Sequence, residues 1–113
     1  IDVNNVFVST SNLGFNPISY LGALPREAIG EIHLAGHSED PLLGGSLLID
    51  SHDAPIAEEV WRLYDWLLAS CGPHRPPTLI ERDEEIPEFD VLIAERSRAE
   101  GMMAGTYRMT VDA

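Results

Sequence analysis

Short strand-like segments alternate with longer helical segments in the second half of this sequence, and this alternation constrains the fold more than any other feature. Strands are predicted at 46–50 and 78–82, where short runs containing Leu and Ile end in polar residues. A helix is predicted between them over 55–71, and a second helix from about residue 87. Strands that alternate with helices indicate a parallel sheet covered by helices, so the predicted fold class is α/β.

The helix predicted over 55–71 is the clearest element of the chain. Glu58 and Glu59 lie in its first turn, where the helix dipole favours negative charge, and Gly72 ends the pattern. Its apolar residues recur with helical spacing, so the helix should present one face to the core. That face is predicted to carry Ile56, Val60, Leu63, Tyr64, Leu67 and Leu68. The later helix is predicted to pack through Phe89, Leu92, Ile93 and Ala99.

The first half of the chain is less regular. Asn16 followed by Pro17 is typical of a helix start, so "PISYLGALP" predicts a short helix. The run "EIHLA" (31–35) predicts a buried strand, whereas the glycine-rich and polar residues 36–45 predict a loop. The first residues resemble the end of a strand, so we expect this chain to be a piece of a longer protein.

The length of the chain limits how its sheet can close. With 113 residues it is long enough for one small domain. A closed barrel of alternating strands and helices normally takes eight strands and about 250 residues, whereas this chain offers three strands and part of a fourth. The sheet edges then need further chain or a partner to cover them, so we expect the isolated chain to self-associate.

Composition excludes several classes of partner. The formal net charge is −12, from 19 acidic and 7 basic residues, and such a field repels the phosphates of nucleic acid. The sequence has no apolar run of the roughly 18 to 20 residues that span a bilayer, so no membrane partner is predicted. Cys71 is the single cysteine, which rules out a disulfide within the chain and favours a cytoplasmic location.

Side chains that bind metals occur at or near the end of every predicted strand, where parallel α/β folds place their active sites. Asp50 and His52 are two residues apart, so on an extended strand both would point to the same side and could reach one point. The candidates share nitrogen or oxygen donors and include no thiolate, which suits iron, manganese or zinc used for chemistry. They are Asp2, Asn5, His33, His37, Asp50, His52 and Glu81.

Some of these residues also have simpler interpretations. A single buried histidine such as His33 is most often a core residue. Asp53 fits the position of a helix cap ahead of Pro55. The acidic run 83–85 is typical of solvated surface, although Asp83 could orient Glu81.

Five motifs together resemble a known enzyme family. They are "DVNNVFVSTSNLGFNP", "GEIHLAGHS", "LLIDSHDAPI", "VWRLYDWLL" and "PTLIERDEEIP", and they run in order from residue 2 to about residue 100. In this order they are similar to the multinuclear non-heme iron-dependent oxidative enzymes, the family that includes the methanobactin-biosynthesis iron enzyme.

This resemblance implies a (β/α)8 TIM barrel of the xylose-isomerase-like type, of which the chain would be the carboxyl-terminal half. Residues 1–100 would then form a partial barrel domain of about strands 5 to 8, with 101–113 as an unassigned tail. The resemblance implies one iron held by Asp2, His33 and Glu81, and a neighbouring iron held by Asn5, Asp50 and His52. The residues that would contact these ligands or the substrate are His37, Asp53 and Arg82.

The implied function is the oxidation of cysteine residues in ribosomally made peptides by iron and dioxygen. Two or three iron ions are expected in the full-length family, with a partner protein that presents the peptide leader. This half is expected to be inactive alone. Two alternatives are a zinc- or manganese-dependent hydrolase or isomerase on the same barrel, and a truncated relative without catalysis.

Overall fold

A computed structural model describes residues 1–105 of the chain, which form a mixed α/β fold. No helix in this part of the chain is long and apolar enough to cross a membrane. Of the predicted tail, residues 101–104 continue the last helix, and 106–113 lie outside the described residues. The elements in chain order are α1 (Val3–Leu13), α2 (Pro17–Gly22), a 3₁₀ turn (Arg26–Ala28), β1 (Ile32–Leu34), β2 (Ser38–Asp40), β3 (Gly44–Ile49), α3 (Glu58–Cys71), β4 (Thr78–Ile80) and α4 (Phe89–Ala104).

Three neighbouring parallel segments form the sheet on which the site is built. β1 pairs with β4, so that His33 lies opposite Leu79. On the other side of β1, Asp2 forms a single parallel bridge with His33. The predicted strands at 31–35 and 78–82 and their parallel arrangement are therefore confirmed, and the structure adds that they are neighbours, with the Asp2 segment on the other side of β1.

The segment 36–50 differs from its prediction. Residues 36–45 were predicted as a loop, and 46–50 as a strand of the parallel sheet. In the structure β2 and β3 form an antiparallel hairpin that does not pair with β1 or β4. The physical reason is a tight turn: the Asp40 carboxylate accepts hydrogen bonds from two successive backbone N–H groups, and Gly44 adopts a left-handed φ of 56°.

Helix α1 was not predicted. Its valines favour strands, but Asp2 caps the helix by accepting a hydrogen bond from the Asn5 backbone N–H at 2.9 Å. Gly14 then ends it in the left-handed conformation. Asn5 therefore lies in the first turn of a helix and not on a strand end. The short helix α2, capped by Asn16 with Pro17 in its first turn, was predicted correctly.

The core is built on α3, whose predicted face is buried. Val60, Leu63, Tyr64, Leu67 and Leu68 pack with residues of α1 and β1. The Tyr64 hydroxyl also contacts the Thr78 hydroxyl oxygen at 2.7 Å, which ties α3 to β4. Burial in this core raises the pKa of Tyr64, although the hydrogen bond with Thr78 opposes the shift.

Two predictions about the ends of the helices were wrong. Helix α3 begins at Glu58 after Ala57, so Asp53 does not cap it; the Asp53 carboxylate instead accepts a hydrogen bond from the Ser51 hydroxyl. In α4, Ala99 is buried as predicted, but Phe89 is 74% exposed. The reason is that α4 contacts the rest of the fold mainly through its second half, where Ala99 and Met102 are buried.

Candidate metal centre

Glu81 connects the two imidazoles of the predicted site. It follows β4, and its backbone N–H donates to the Leu34 carbonyl at 2.9 Å, which fixes it beside the end of β1. Its Oε1 lies 2.6 Å from His33 Nδ1, and its Oε2 lies 3.6 Å from His52 Nδ1. One carboxylate therefore faces two histidines from different parts of the chain.

Asp50 and His52 meet, but not for the reason that the sequence suggested. His52 Nε2 lies 2.9 Å from Asp50 Oδ1. Strand β3 has already ended at Ile49, and His52 adopts a left-handed φ of 55°, so the alternation of side chains on a strand does not apply. The His52 backbone is instead held by its N–H donating to the Gly36 carbonyl at 3.0 Å and by its carbonyl accepting from the Asp83 N–H at 2.8 Å.

Potential ligand atoms group into three overlapping sets of three residues, each within 4.8 Å of one another. The sets are Asp2, His33 and Glu81; Asp2, Asp50 and His52; and His52, Glu81 and Asp83. Because the sets share Asp2, His52 and Glu81, they form one continuous cluster in which two neighbouring cations could share ligands. Carboxylate and imidazole donors without a thiolate suit iron, manganese or zinc.

Asn5 reaches the same cluster from α1. Its side-chain Nδ2 donates to Asp50 Oδ2 at 3.2 Å, while its backbone N–H holds Asp2 Oδ1. The first turn of α1 thus brings Asn5 beside Asp50, although these residues are 45 positions apart in the chain.

The surroundings of His52 fit a bound cation. His52 Nε2 is buried and has no hydrogen-bond partner in the described part of the chain, because its 2.9 Å contact with Asp50 lies outside hydrogen-bond geometry. Burial opposes a charge on this imidazole, but Asp50, Asp83 and Glu81 outweigh it and raise the pKa of His52. Several anionic groups around a half-buried imidazole are an arrangement that a cation would stabilise.

Asn4 and Glu31 were not among the predicted site residues, and Asp83 was considered only as a group that could orient Glu81, yet all three contact predicted ligands. Asn4 is fully buried and donates from Nδ2 to Asp50 Oδ1 at 2.5 Å. Glu31 Oε1 lies 2.8 Å from His33 Nε2, and Asp83 Oδ2 lies 3.0 Å from His52 Nδ1. Glu31 could have been found by its spacing of two from His33, whereas nothing distinguishes Asn4 in sequence from a surface asparagine.

The other three predicted residues lie around the cluster, outside its ligand sets. His37 Nδ1 is 2.9 Å from Asn4 Oδ1. Asp53 is held by Ser51. Arg82 donates from Nη2 to the Glu85 carbonyl at 3.0 Å and lines the open apolar groove between β4 and α4.

Comparison with known proteins identifies relatives over nearly the whole chain. The "UPF0276 protein" of Caulobacter sp. (strain K31) is 66% identical over 104 residues, which are 91% of this chain and 36% of that protein. The "UPF0276 protein" of Caulobacter vibrioides (strain NA1000 / CB15N) is 63% identical over 92% of this chain and 36% of its own length. A Rhizobium meliloti (strain 1021) relative is 49% identical over 91% of the chain and 33% of its own length.

The chain therefore spans about a third of the length of these relatives. Residues 1–104 match the family described as "RiPP precursor modification enzyme MbnB/TglH/ChrH", where RiPP denotes a ribosomally made, post-translationally modified peptide. This match covers all five motifs that suggested the family and all the clustered side chains. The chain belongs to the MbnB/TglH/ChrH family of RiPP precursor modification enzymes.

Proposed function

We propose that this chain is the metal-binding portion of an iron- and dioxygen-dependent oxidase that modifies cysteine residues of ribosomally made peptides. The observation that carries the proposal is the position of Glu81 between His33 and His52, within a cluster that also contains Asp2 and Asp50. Membership of a RiPP-modifying family supplies the substrate class.

The proposed ligands divide between two ions. Asp2, His33 and Glu81 would hold the first, and Asn5, Asp50 and His52 the second. When bound, iron would supply redox chemistry with dioxygen and a position for a substrate thiolate. The fully buried Asn4 amide orients Asp50, and backbone hydrogen bonds with Gly36 and Asp83 hold the His52 backbone beside the cluster.

We further propose that residues 1–100 are part of a (β/α)8 barrel of the xylose-isomerase-like type, to which the Asp2 segment, β1 and β4 would contribute three strands, while the predicted strand at 46–50 belongs to the hairpin outside it. Two features support it: the parallel order of the Asp2 segment, β1 and β4, and the burial of α3 beside the sheet. Because the chain spans 36% of its Caulobacter sp. relative, we expect catalysis to need the remainder of such a protein or a partner that replaces it.

The proposed partners are the peptide substrate and a protein that presents its leader, in the cytoplasm. Self-association of the chain alone is supported by large exposed apolar side chains in several parts of the fold. Those exposed by 60% or more are Leu13, Phe15, Leu42, Leu43, Ile86 and Phe89. Sedimentation velocity should show a dimer or larger species, and a monomer at micromolar concentration would contradict this part of the proposal.

The test uses a longer protein in which the amino-terminal portion of the Caulobacter sp. relative precedes this chain. After anaerobic loading with ferrous iron, it should retain about two or three irons and consume dioxygen only when a cysteine-containing peptide is present. Mass spectrometry should then show an oxidised peptide. Retention of zinc or manganese in place of iron, with no peptide oxidation, would reject the oxidase and favour the hydrolase or isomerase. Retention of no metal would favour a non-catalytic relative.

A further inference from the structure

Asn4 occupies an unusual position behind the candidate metal centre. Its side chain is fully buried and has three polar neighbours. Nδ2 lies 3.0 Å from the Gly36 carbonyl oxygen and 2.5 Å from Asp50 Oδ1, and Oδ1 lies 2.9 Å from His37 Nδ1. A buried amide whose NH₂ and carbonyl groups are both hydrogen-bonded holds the groups it contacts in fixed positions relative to one another.

The neighbours determine which way the amide faces. A backbone carbonyl accepts hydrogen bonds and has no hydrogen to donate, and the same holds for an ionised carboxylate. The group that faces Gly36 and Asp50 must therefore be the NH₂ of Asn4, since an oxygen there would face two other oxygens. The Asn4 carbonyl oxygen is thus left facing His37.

This orientation determines the tautomer of His37. The Asn4 oxygen can only accept, so the His37 nitrogen beside it has to donate. A neutral His37 then carries its hydrogen on Nδ1, and Nε2 keeps its lone pair. Phe7 also restrains the ring, since the two ring centroids are 5.3 Å apart at an angle of 31°.

We propose that Asn4 is a positioning residue that holds His37 in the Nδ1–H tautomer while it orients Asp50. Nε2 of His37 has no hydrogen-bond partner among residues 1–105. It is therefore free to accept a hydrogen bond from an N–H or S–H group of the peptide substrate; this last step rests on the proposed function. The single amide thus couples the geometry of the metal-facing Asp50 to that of a substrate-facing imidazole.

The test is the nitrogen-15 spectrum of the four histidines in the chain at pH 8.5, recorded without metal or peptide. The two nitrogens of a neutral imidazole resonate far apart, so the spectrum identifies the tautomer directly. His37, assigned with a His37→Gln variant, should be mainly Nδ1–H. An Nε2–H tautomer in the unmodified chain would overturn the proposal without any need for an Asn4 variant.

Asn4→Ala removes the acceptor and should shift the tautomer ratio of His37 by about tenfold towards Nε2–H, the effect of one lost hydrogen bond. Asn12→Ala is the matched control: Asn12 lies in the same helix and also uses its amide for two hydrogen bonds, with the Leu48 backbone at 2.8 and 2.9 Å. That variant should leave His37 unchanged. An unchanged ratio in Asn4→Ala, or an equal shift in both variants, would refute the positioning role. Because no metal is present, these results are independent of whether the chain proves to be an iron oxidase.

Discussion

Substituting Gly36 by alanine tests how strongly backbone packing around the site controls stability and metal binding. Gly36 follows β1, and its φ is not in the left-handed region, so any effect of alanine arises from space alone. A β-carbon at this position would lie 2.0 Å from the Ala54 carbonyl oxygen and 2.7 Å from the Pro55 carbonyl oxygen. Real β-carbons almost never approach another atom closer than 3.0 Å, so the segment has to move by about 1 Å.

The magnitude follows from what has to move. Inserting a methyl group into a packed region typically costs about 1–3 kcal/mol, and the upper end applies here because both clashing atoms belong to the backbone. About 3 kcal/mol corresponds to a fall in Tm of roughly 12–24 °C for a domain of this size. Since His52 donates its backbone N–H to the Gly36 carbonyl, the same movement displaces the imidazole, so metal affinity should also fall.

The assay is urea unfolding followed by circular dichroism, combined with a cobalt(II) titration of the folded protein. Gly30→Ala is the control, because no atom lies within 4 Å of a β-carbon at that position. It should change the free energy of unfolding by less than about 0.5 kcal/mol. If Gly36→Ala changed the free energy of unfolding as little as Gly30→Ala, residues 54 and 55 would not pack closely against the end of β1.

Four further predictions concern the cluster and the core. Glu81→Gln should weaken cobalt(II) binding by about tenfold or more at the position that Glu81 shares with Asp2 and His33, because its Oε1 lies 2.6 Å from His33 Nδ1. Glu84→Gln changes an exposed residue and should leave binding unchanged, whereas unchanged binding in Glu81→Gln would contradict the proposed ligand. The pKa of His52 is raised above the 6.5 of an ordinary histidine, so protons should compete with a metal ion for its imidazole at a higher pH. Cobalt(II) affinity should therefore fall as the pH drops from about 8 to about 6. His52→Gln should make the affinity less dependent on pH. In the metal-free protein the free energy of unfolding should fall as the pH rises, because the carboxylates stabilise the protonated imidazole of His52 and that contribution is lost above its pKa. A free energy of unfolding that does not change with pH would contradict this. Tyr64→Phe should lower the free energy of unfolding by about 1 kcal/mol in urea by removing the hydrogen bond to Thr78, and no change would show that the bond contributes nothing.

The elements that were predicted correctly are those whose signals are local. The apolar stripe of α3 repeats over four turns, and Asn16 with Pro17 marks the start of α2 regardless of what surrounds it. Helix α1 was missed because its valines favour strands and its cap, Asp2, looks like a strand end. What stabilises α1 is burial of one of its faces against the rest of the fold, and a sequence does not display that.

The site shows the same division between local and non-local signals. The types of the ligand residues and their place after strands were visible in sequence, and the structure brings Asp2, His33, Asp50, His52 and Glu81 together. The backbone conformation that brings them together could not be predicted from the sequence. The left-handed φ of His52 is imposed by backbone contacts with segments far away in the chain.

The role of Asn4 is hidden for the same reason. Its importance comes from complete burial beside three partners, all of them more than 30 positions away in the chain. The hairpin of β2 and β3 likewise depends on a turn whose glycines could equally well mark a loop.

The most direct test of the central claim is a count of bound iron after His52 is removed. The chain is loaded anaerobically with ferrous iron, freed of excess metal by gel filtration, and analysed for iron per polypeptide. The unmodified chain should retain about two ions, and His52→Ala about one. His74→Ala, which changes an exposed histidine between two loop prolines, should retain as many ions as the unmodified chain. Equal iron content in all three proteins would show that Asp50 and His52 do not hold a metal ion.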